Sequence, residues 1–525
     1  MATTALQKPF IVEFNQIRTL NTKDSPISMK DDELPGLENV MPIGTSGYTV
    51  PGYSIDLCSL PTKILRFKWF NIGEPLGTCI VFCLDGSLWK LNQQSAASPN
   101  LVSVQISVPG TKFADPHFVQ WKDKTVLIID PVQGLRYYTP IAHTDTSGET
   151  FKAGLHIANS SITGTSIAVF KGRVFVANGR VINFSAPDLV FNFTGTASGT
   201  VIDTYESLSE TIVEMIPTQD YLYVCGDSAV HLIYGIQILS DGTTTFSLLD
   251  SLPTIGAMWQ DTVKALMGQA IMMSDTGINS VMSTAPTLLS SYLDGLFPQI
   301  DFAYFSPVAD FATVFNKTVY CVLVHIRGTL NTPGVRKMLC FYEGRWFTVN
   351  YGIDLSYLGA RNLKTGRSLY AARDNAIVQL FTGASIITKS FTTKALHFGY
   401  PVHEKQALNA GVQLSKISAS ASTVNPALTI NGDISGVPFN PVIPVDPTSY
   451  PGVFYSEQGF GKTQVDGRGR RLQIQYSETS DAMYIITGVA LECLLGSPWP
   501  EIAQDAPAAA PFKFDDPKFD SNTFK

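Results

Sequence analysis

The segment Arg173-Val-Phe-Val-Ala-Asn-Gly-Arg-Val-Ile-Asn-Phe184 contains a strand, a tight turn and a returning strand within twelve residues. Its flanking runs are rich in Val, Ile and Phe, which favour strands, and Asn-Gly tolerates the positive φ that a tight hairpin turn requires. The pattern recurs six times, with a turn residue at the centre of each unit. The centres of the other six units are Asp85, Asp130, Asp227, Asp275, Glu343 and Asp374.

The spacing of these turns is nearly regular. With Asn178 included, the steps between successive centres are 45, 48, 49, 48, 68 and 31 residues. A period of about 40–50 residues with several strands in each unit is typical of β-propeller blades. The sequence therefore predicts an all-β chain with a β-propeller of six or seven blades over residues 51–395. A tandem of β-sandwiches with evenly spaced hairpins is the alternative.

The two ends of the chain lack this rhythm. Residues 1–50 are polar and rich in turn residues, which predicts an irregular N-terminal arm. Residues 396–500 form a C-terminal β-rich region that either closes the propeller or makes a small sandwich. Residues 501–525 are rich in Ala and Pro and cannot form a core of their own, which predicts an extended tail. Its spaced aromatic residues are candidates for docking into a neighbouring subunit: Phe512, Phe514, Phe519 and Phe524.

Composition excludes several classes of protein. Charged residues make up 15%, hydrophobic residues make up 45%, and the formal net charge is −7. Disorder needs low hydrophobicity and high net charge, and a basic nucleic-acid binder needs the opposite sign of charge. No run approaches the roughly 20 apolar residues of a membrane helix, so no membrane insertion is expected. A surface with so few charges favours a protein held in permanent contacts.

Cysteine and histidine usage predicts structural roles. The chain has seven cysteines, an odd number, and they lie inside apolar runs such as Cys79-Ile-Val-Phe-Cys83. Such cysteines behave as small buried hydrophobes, which favours a reducing compartment. No two of the seven histidines are three or four residues apart, so the sequence predicts no local metal site and no cofactor.

No catalytic motif has its required context. Gly461-Lys-Thr463 lacks the earlier glycine of a phosphate-binding loop, and no helical pattern follows it. The acidic residues mostly occupy turns, where turn chemistry explains them. The sequence therefore predicts no enzyme activity and no catalytic residues.

One tight basic cluster stands out near the C-terminus. Arg468, Arg470 and Arg471 lie within four residues, and Lys462 is close in sequence. Guanidinium and ammonium groups bind phosphates or an acidic protein surface. These four residues are the candidate contacts to DNA or to a partner, although a solvated strand end also explains them.

Two regions resemble a known family. The first combines Ser185-Ala-Pro187, Phe191-Asn-Phe193 and a strand pair that meets at Gly226-Asp-Ser228. The second is Gly-Arg-Gly-Arg-Arg-Leu-Gln-Ile-Gln-Tyr476 followed by a strand that ends Gly-Val-Ala-Leu-Glu492. Together they resemble the β-propeller tail proteins of short-tailed bacteriophages, which are nozzle, hub or packaged-DNA-stabilisation subunits. The resemblance covers about residues 160–235 and 460–495, and the blade rhythm extends it loosely over residues 50–400.

This resemblance implies a structural protein of the virion tail, assembled in the bacterial cytoplasm. It implies a homohexameric ring below the portal and adaptor, with tail fibres or spikes as further neighbours. The ring would continue the channel for ejected double-stranded DNA without reading its sequence, and would help retain the genome. The family carries no catalytic residues. A propeller tail enzyme or glycan-binding protein that acts on host surface polysaccharide is the alternative.

Overall fold

The computed structural model describes residues 9–72, 77–95, 98–202, 211–252, 255–283, 285–330, 332–383, 385–401, 403–417, 424, 426–432 and 458–498. Regular structure in these ranges is almost entirely β-strand, which confirms the predicted all-β class. Only three short 3₁₀ turns interrupt it there, and these are η1 (Gln260–Thr262), η2 (Ser291–Leu293) and η3 (Phe297–Gln299). In the same ranges no helix has the length and apolar character needed to cross a membrane.

Seven short strands precede the repeating region. They are β1 (Phe10–Phe14), β2 (Thr19–Leu20), β3 (Glu33–Leu34), β4 (Gly36–Glu38), β5 (Val40–Ile43), β6 (Ser46–Thr49) and β7 (Cys58–Ser59). The segment expected to be an irregular arm, residues 1–50, thus contains six strands in its described part. Three of them, β1, β4 and β6, are paired with distant parts of the chain.

The next region consists of seven successive antiparallel units of four strands, here called meanders 1 to 7. Meander 1 is β8 (Ile64–Phe70), β9 (Thr78–Cys83), β10 (Leu88–Ser95) and β11 (Ser98–Gln105). Meander 2 is β12 (His117–Trp121), β13 (Thr125–Ile129), β14 (Leu135–Thr139) and β17 (Gly154–Asn159), with the small hairpin β15 (His143–Thr144) and β16 (Thr150–Phe151) before its last strand. Meander 3 is β18 (Ser166–Phe170), β19 (Arg173–Asn178), β20 (Val181–Phe184) and β21 (Gly199–Ile202).

The remaining meanders follow the same plan. Meander 4 is β22 (Ile212–Pro217), β23 (Leu222–Gly226), β24 (Val230–Ile238) and β25 (Thr244–Leu252), and meander 5 is β26 (Lys264–Leu266), β27 (Gln269–Ser274), β28 (Gly277–Met282) and β29 (Ala285–Leu288). Meander 6 is β30 (Val308–Val314), β31 (Lys317–Ile326), β32 (Val335–Tyr342) and β33 (Arg345–Val349). Meander 7 is β34 (Tyr357–Leu363), β35 (Gly366–Arg373) and β36 (Ala376–Gln379), and β7 from the N-terminal side supplies its fourth strand.

The second strand of a meander is buried on both faces, which explains its continuous apolar sequence. In β19, Val174 and Val176 pack toward meander 2, whereas Phe175 and Ala177 pack toward meander 4. The same alternation divides β9, β13, β23 and β27 between two clusters each. Each of these five meanders therefore packs face to face against the meanders on both sides of it.

Five of the seven turn centres predicted from sequence lie between the second and third strands of a meander, and Asn178 is the last residue of such a second strand. Asp130 shows why such a residue is needed there, because its buried carboxylate accepts hydrogen bonds from the amides of Ala114, Asp115, Val132 and Gln133. Glu343 is the exception, since it lies between the third and fourth strands of meander 6.

The last strands of the chain form two further sheets with the N-terminal strands. These last strands are β37 (Ile387–Thr392), β38 (His403–Lys416), β39 (Ala427–Gly432), β40 (Gln458–Gly469), β41 (Leu472–Ser480) and β42 (Tyr484–Pro498). One sheet has the order β40-β38-β42-β6-β5, and β1 also pairs with β42. The other extends meander 6 in the order β33-β4-β37-β41-β39. We call these the terminal sheets, and apolar side chains from both belong to one core.

Two segments differ from what their sequences favour. Residues 262–267 have a short helical pattern, but η1 ends at Thr262 and β26 begins at Lys264. The glycines of Gly461-Lys-Thr463 and of the run after it favour a loop and a turn, but these residues lie within β40. Pairing with the long strand β38 gives this polar segment its extended conformation.

Candidate functional site

A single cavity of about 390 Å³ lies where the first strands of all seven meanders come together. Its lining includes residues of β8, β12, β18, β22, β26, β30 and β34, together with η1. We call it the first-strand cavity. The first strand of meander 7, β34, packs against the first strand of meander 1, β8.

Alternation along β8 places charged side chains in this cavity. Phe67 and Trp69 are buried on one face of the strand, while Arg66 and Lys68 lie on the other face and line the cavity. Arg66 and Lys68 are two residues apart, and side chains at this spacing point to the same face of a strand. The face of β8 that carries Arg66 and Lys68 therefore contributes charged groups to the cavity, whose lining also includes apolar residues such as Trp69 and Phe118.

A hydrogen-bonded group, which we call the Arg66 network, joins the start of three first strands to η1. The Arg66 guanidinium donates to Asp115 Oδ1 at 2.6 Å and to Asp261 Oδ2 at 3.0 Å, and it lies 2.8 Å from His117 Nε2. The hydroxyl of Tyr357 donates to Asp261 Oδ1 at 2.7 Å. The network thus links meanders 1, 2 and 7 to the entrance of meander 5.

Electrostatics keep Asp261 ionised. Burial alone would raise the pKa of this carboxyl, but the charges of Arg66, His117 and Lys264 and the hydrogen bond from Tyr357 outweigh burial and hold its pKa well below the usual range. Burial, followed by the negative charge of Asp261, raises the pKa of Tyr357 well above its ordinary value. The pair therefore acts as a fixed acceptor and a fixed donor at neutral pH.

Two more cavity carboxylates also make structural contacts. Glu214 Oε1 accepts from Ser166 Oγ at 2.8 Å and from its neighbouring amide, which joins meander 4 to meander 3. Asp310 Oδ2 accepts from the Ala360 amide at 2.8 Å, which joins meander 6 to meander 7. No group of three or more His, Cys, Asp and Glu in the described ranges could hold a metal ion.

The basic cluster predicted from sequence lies elsewhere, at the corner between β40 and β41. Arg468 Nε is 3.2 Å from Glu404 Oε1, and both side chains are substantially exposed. The carbonyl of Arg470 accepts a hydrogen bond from Lys405 Nζ at 2.6 Å, and Arg471 immediately precedes β41. The structure therefore brings the three arginines to one corner.

Lys462 does not join them. The backbone of Lys462 pairs with Gly411 on β38, whereas that of Arg468 pairs with Gln406. The two residues are therefore six positions apart along β40. At about 3.3 Å per residue this separation is roughly 20 Å. The four tail residues Phe512, Phe514, Phe519 and Phe524 lie outside the described residues, and their docking role stays a prediction.

The cysteines have the structural placement expected of them. Six of the seven are buried and Cys58 is partly buried, and none forms a disulfide. Burial raises the pKa of the Cys83 thiol to about 12, with the charge of Asp85 adding to it. Such thiols are poor nucleophiles at neutral pH.

Sequence reasoning missed the first-strand cavity. Its charged residues leave only a weak signal in the sequence, because each is a charged side chain inside a largely apolar strand. Examples are Arg66 and Lys68 in β8, Glu214 in β22 and Asp310 in β30. A charge on an apolar strand indicates a polar partner but not which one. Only the arrangement of the meanders shows that these charges share one space.

No protein-family model matches this sequence, and no curated protein matches it. Among solved structures, the crystal structure of Raptor from Chaetomium thermophilum is similar to 63% of this chain, with 12% sequence identity and a TM-score of 0.39. The match covers 29% of the Raptor chain, so this chain spans less than a third of that protein. A similarity at this level carries no conclusion about fold or function.

Proposed function

We propose that the seven meanders are the blades of a seven-bladed β-propeller. The first-strand cavity supports this proposal most directly, since the first strand of every meander contributes to its lining. The contact between β34 and β8 supports closure, and so does the completion of meander 7 by β7. A propeller that closes its last blade with an N-terminal strand protects that blade's edge from pairing with other chains.

We further propose that this propeller is a structural subunit of a phage tail, a ring-forming nozzle or hub protein that continues the DNA ejection channel. The sequence resemblance at residues 160–235 and 460–495 supports the family, and the low charge fraction supports extensive permanent contacts. The carboxylates of the first-strand cavity each bridge different meanders, which favours an architectural role over acid–base chemistry.

DNA in this proposal passes between subunits and not through one subunit. A cavity of about 390 Å³ is the size of a small-molecule pocket, far too small for a duplex. The Arg66 network also crosses it. The channel would therefore be enclosed by a ring of copies, with heterologous contacts between successive subunits.

The candidate contacts of such a ring lie on the terminal sheets. Arg468, which is exposed, and Arg470 and Arg471, which are half-buried, form a basic corner there, suited to DNA phosphates or to an acidic partner surface. The chain after β42 carries the four spaced phenylalanines as the proposed subunit-docking tail.

Mass measurement of the purified protein, alone and with a portal–adaptor assembly, tests the proposal. We expect a monomer alone and six copies on the platform, since six weak contacts to one platform act together. A chain truncated after residue 505 should fold normally but assemble poorly. A twofold dimer that ignores the platform would contradict the ring.

A separate assay tests the alternative that this protein is an enzyme. Release of reducing ends from host surface polysaccharide by the purified protein, lost on the substitution Glu214→Gln or Asp310→Asn, would replace the structural proposal with a glycan-cleaving one. We expect no release.

A further inference from the structure

Three cationic side chains from three different meanders line the first-strand cavity without a carboxylate partner of their own. Lys68 comes from β8, Lys264 from β26, and Arg367 from β35 next to the start of its hairpin. Arg66 is the fourth cation of the lining, but Asp115 and Asp261 pair with it.

Most of the hydrogen-bond donors of the three cations are unused within the described residues. Lys68 Nζ donates only to the carbonyl of Phe118, at 3.0 Å. Lys264 donates no side-chain hydrogen bond to any described residue, and the Arg367 guanidinium lies over the ring of Phe311 at 5.0 Å without one. An ammonium group has three donors and a guanidinium has five, so the cavity holds a surplus of donors.

The carboxylates in the cavity already accept hydrogen bonds. Asp261 accepts from Arg66 and Tyr357, Glu214 from Ser166, and Asp310 from the amides of Phe311 and Ala360. The Arg66 network carries one guanidinium and the two carboxylates of Asp115 and Asp261, and beside it three cations face the two carboxylates of Glu214 and Asp310. Hydrogen-bond donors are therefore in excess on these three cations, and a small oxyanion would supply acceptors for them.

The two lysines also disfavour each other's charge. Burial lowers the pKa of Lys68, and the charge of Lys264 lowers it further, against the attraction of Glu214, Asp310 and Asp261. An anion between the two ammonium groups would relieve this repulsion and would use their free donors.

We propose that the first-strand cavity binds a small oxyanion, a phosphate group either free or carried by a small molecule, through Lys68, Lys264 and Arg367. A phosphate offers several strong acceptor oxygens to donors that approach from different directions, which suits cations from meanders 1, 5 and 7. A bound phosphate would connect these three meanders across the cavity. It would therefore stabilise the arrangement of the meanders in the single subunit, independently of any assembly.

Titration calorimetry of the full chain with inorganic phosphate tests this site, with glycerol phosphate in parallel and chloride at matched ionic strength as the blank. We expect saturable binding of phosphate, weakened at least tenfold by Lys264→Met and by Lys68→Met. Lys152→Met, which removes an exposed lysine near meander 2, should bind like the unmodified chain. Preference for glycerol phosphate over inorganic phosphate would identify a carried phosphate group, and the reverse would identify the free ion.

Protein stability supplies a second readout. Phosphate should raise the melting temperature of the unmodified chain in a concentration-dependent way and should leave that of Lys264→Met unchanged. Because the Lys264 side chain makes no hydrogen bond to any described residue, this variant is expected to fold, and its circular dichroism spectrum checks that. No saturable binding to the unmodified chain, or equal binding by all variants, would overturn the proposal.

Discussion

The meanders and the terminal sheets differ in how far apart in sequence their paired strands lie. Within a meander each strand pairs with a strand close to it in sequence, as β18 to β21 do. In the terminal sheets β1 and β6 pair with β42, so the first and last described strands of the chain lie side by side. Local pairing needs only a turn and two strands, whereas terminal pairing needs the whole intervening chain to be in place.

The two regions also differ in what lies at their centres. The meanders share a cavity of about 390 Å³, lined in part by charged side chains that contact one another between different meanders. The terminal sheets enclose a buried ion pair, Lys389 and Glu478, whose side chains are 1% and 0% exposed. The repeating region thus places charged groups in a shared cavity, whereas the terminal region holds Lys389 and Glu478 as a pair inside its core.

Breaking the buried pair should have the largest effect. Lys389 Nζ donates to Glu478 Oε2 at 3.2 Å and to the carbonyls of Ser480 and Ala482. Lys389→Met would leave the Glu478 carboxylate buried without its cation, which destabilises a protein by about 3–5 kcal/mol. Hydrogen exchange in β41 and β42 measures the loss, and β19 in meander 3 should be much less affected.

A matched exposed pair and a double variant control this prediction. Lys317→Met breaks the exposed pair with Glu343 and should change stability by less than about 1 kcal/mol. Lys389→Met combined with Glu478→Met should be more stable than Lys389→Met alone. A double variant as unstable as the single one would show that packing and not the stranded charge is responsible.

Packing between the first and last meanders is tested by a substitution with a smaller expected effect on stability. A Cβ at Gly359 on β34 would lie 2.5 Å from the ring of Phe67 on β8, and Phe67 is 1% exposed and has no room to turn. Gly359→Ala should therefore cost about 1–3 kcal/mol through overpacking. Hydrogen exchange should rise first in meanders 1 and 7.

Gly488→Ala is the control in the terminal sheets, since its added Cβ would meet its nearest atom at an ordinary 3.5 Å. It should leave exchange nearly unchanged. Equal effects of the two substitutions would contradict tight packing between the first and last meanders.

The pH dependence of the Arg66 network gives a third prediction. Because the folded-state pKa of Asp261 is depressed, its contribution is present above the unfolded pKa of about 3.9 and is lost as the pH falls below that value. Asp261→Asn should reduce stability at pH 7 by on the order of 1–2 kcal/mol. The difference from the unmodified chain should shrink as the pH falls from 4 toward the acid limit of folding.

Denaturant unfolding at several pH values measures this difference. Asp123→Asn, in the exposed turn between β12 and β13, should run parallel to the unmodified chain over the same range. A constant gap between Asp261→Asn and the unmodified chain would mean that the Asp261 charge contributes nothing.

The basic corner should give the smallest effect on folding. Arg468 pairs with Glu404 in an exposed geometry, so Arg468→Gln should change stability by less than about 1 kcal/mol. Binding of duplex DNA, measured against salt concentration, should weaken if the corner contacts phosphates. An unchanged salt dependence would favour an acidic protein partner or a solvated surface.

The sequence predicted the meanders better than it predicted the terminal sheets. Turn residues such as Asp130 and Asn178 made the meanders predictable from sequence, because each lies at the turn of its own hairpin. The irregular steps of 68 and 31 residues arose because Glu343 lies between the third and fourth strands of meander 6, whereas its second strand ends at Ile326 and its third begins at Val335.

The terminal sheets and the first-strand cavity could not be predicted in this way. The strands β41 and β42 are recognisable in the sequence, but they do not pair with each other, and their partners β37, β38 and β1 are far away in the chain. Likewise Arg66 and Asp261 are joined only because meanders 1 and 5 both reach the cavity. No local pattern encodes such contacts.

An electron cryomicroscopy reconstruction of the protein bound to its portal–adaptor platform tests the central claim most directly. We predict sixfold symmetry, an open axial channel wide enough for duplex DNA between the copies, and seven four-stranded sheets around one closed cavity in each copy. A reconstruction without sixfold symmetry, or with subunits in which the first and seventh meanders lie apart, would contradict it.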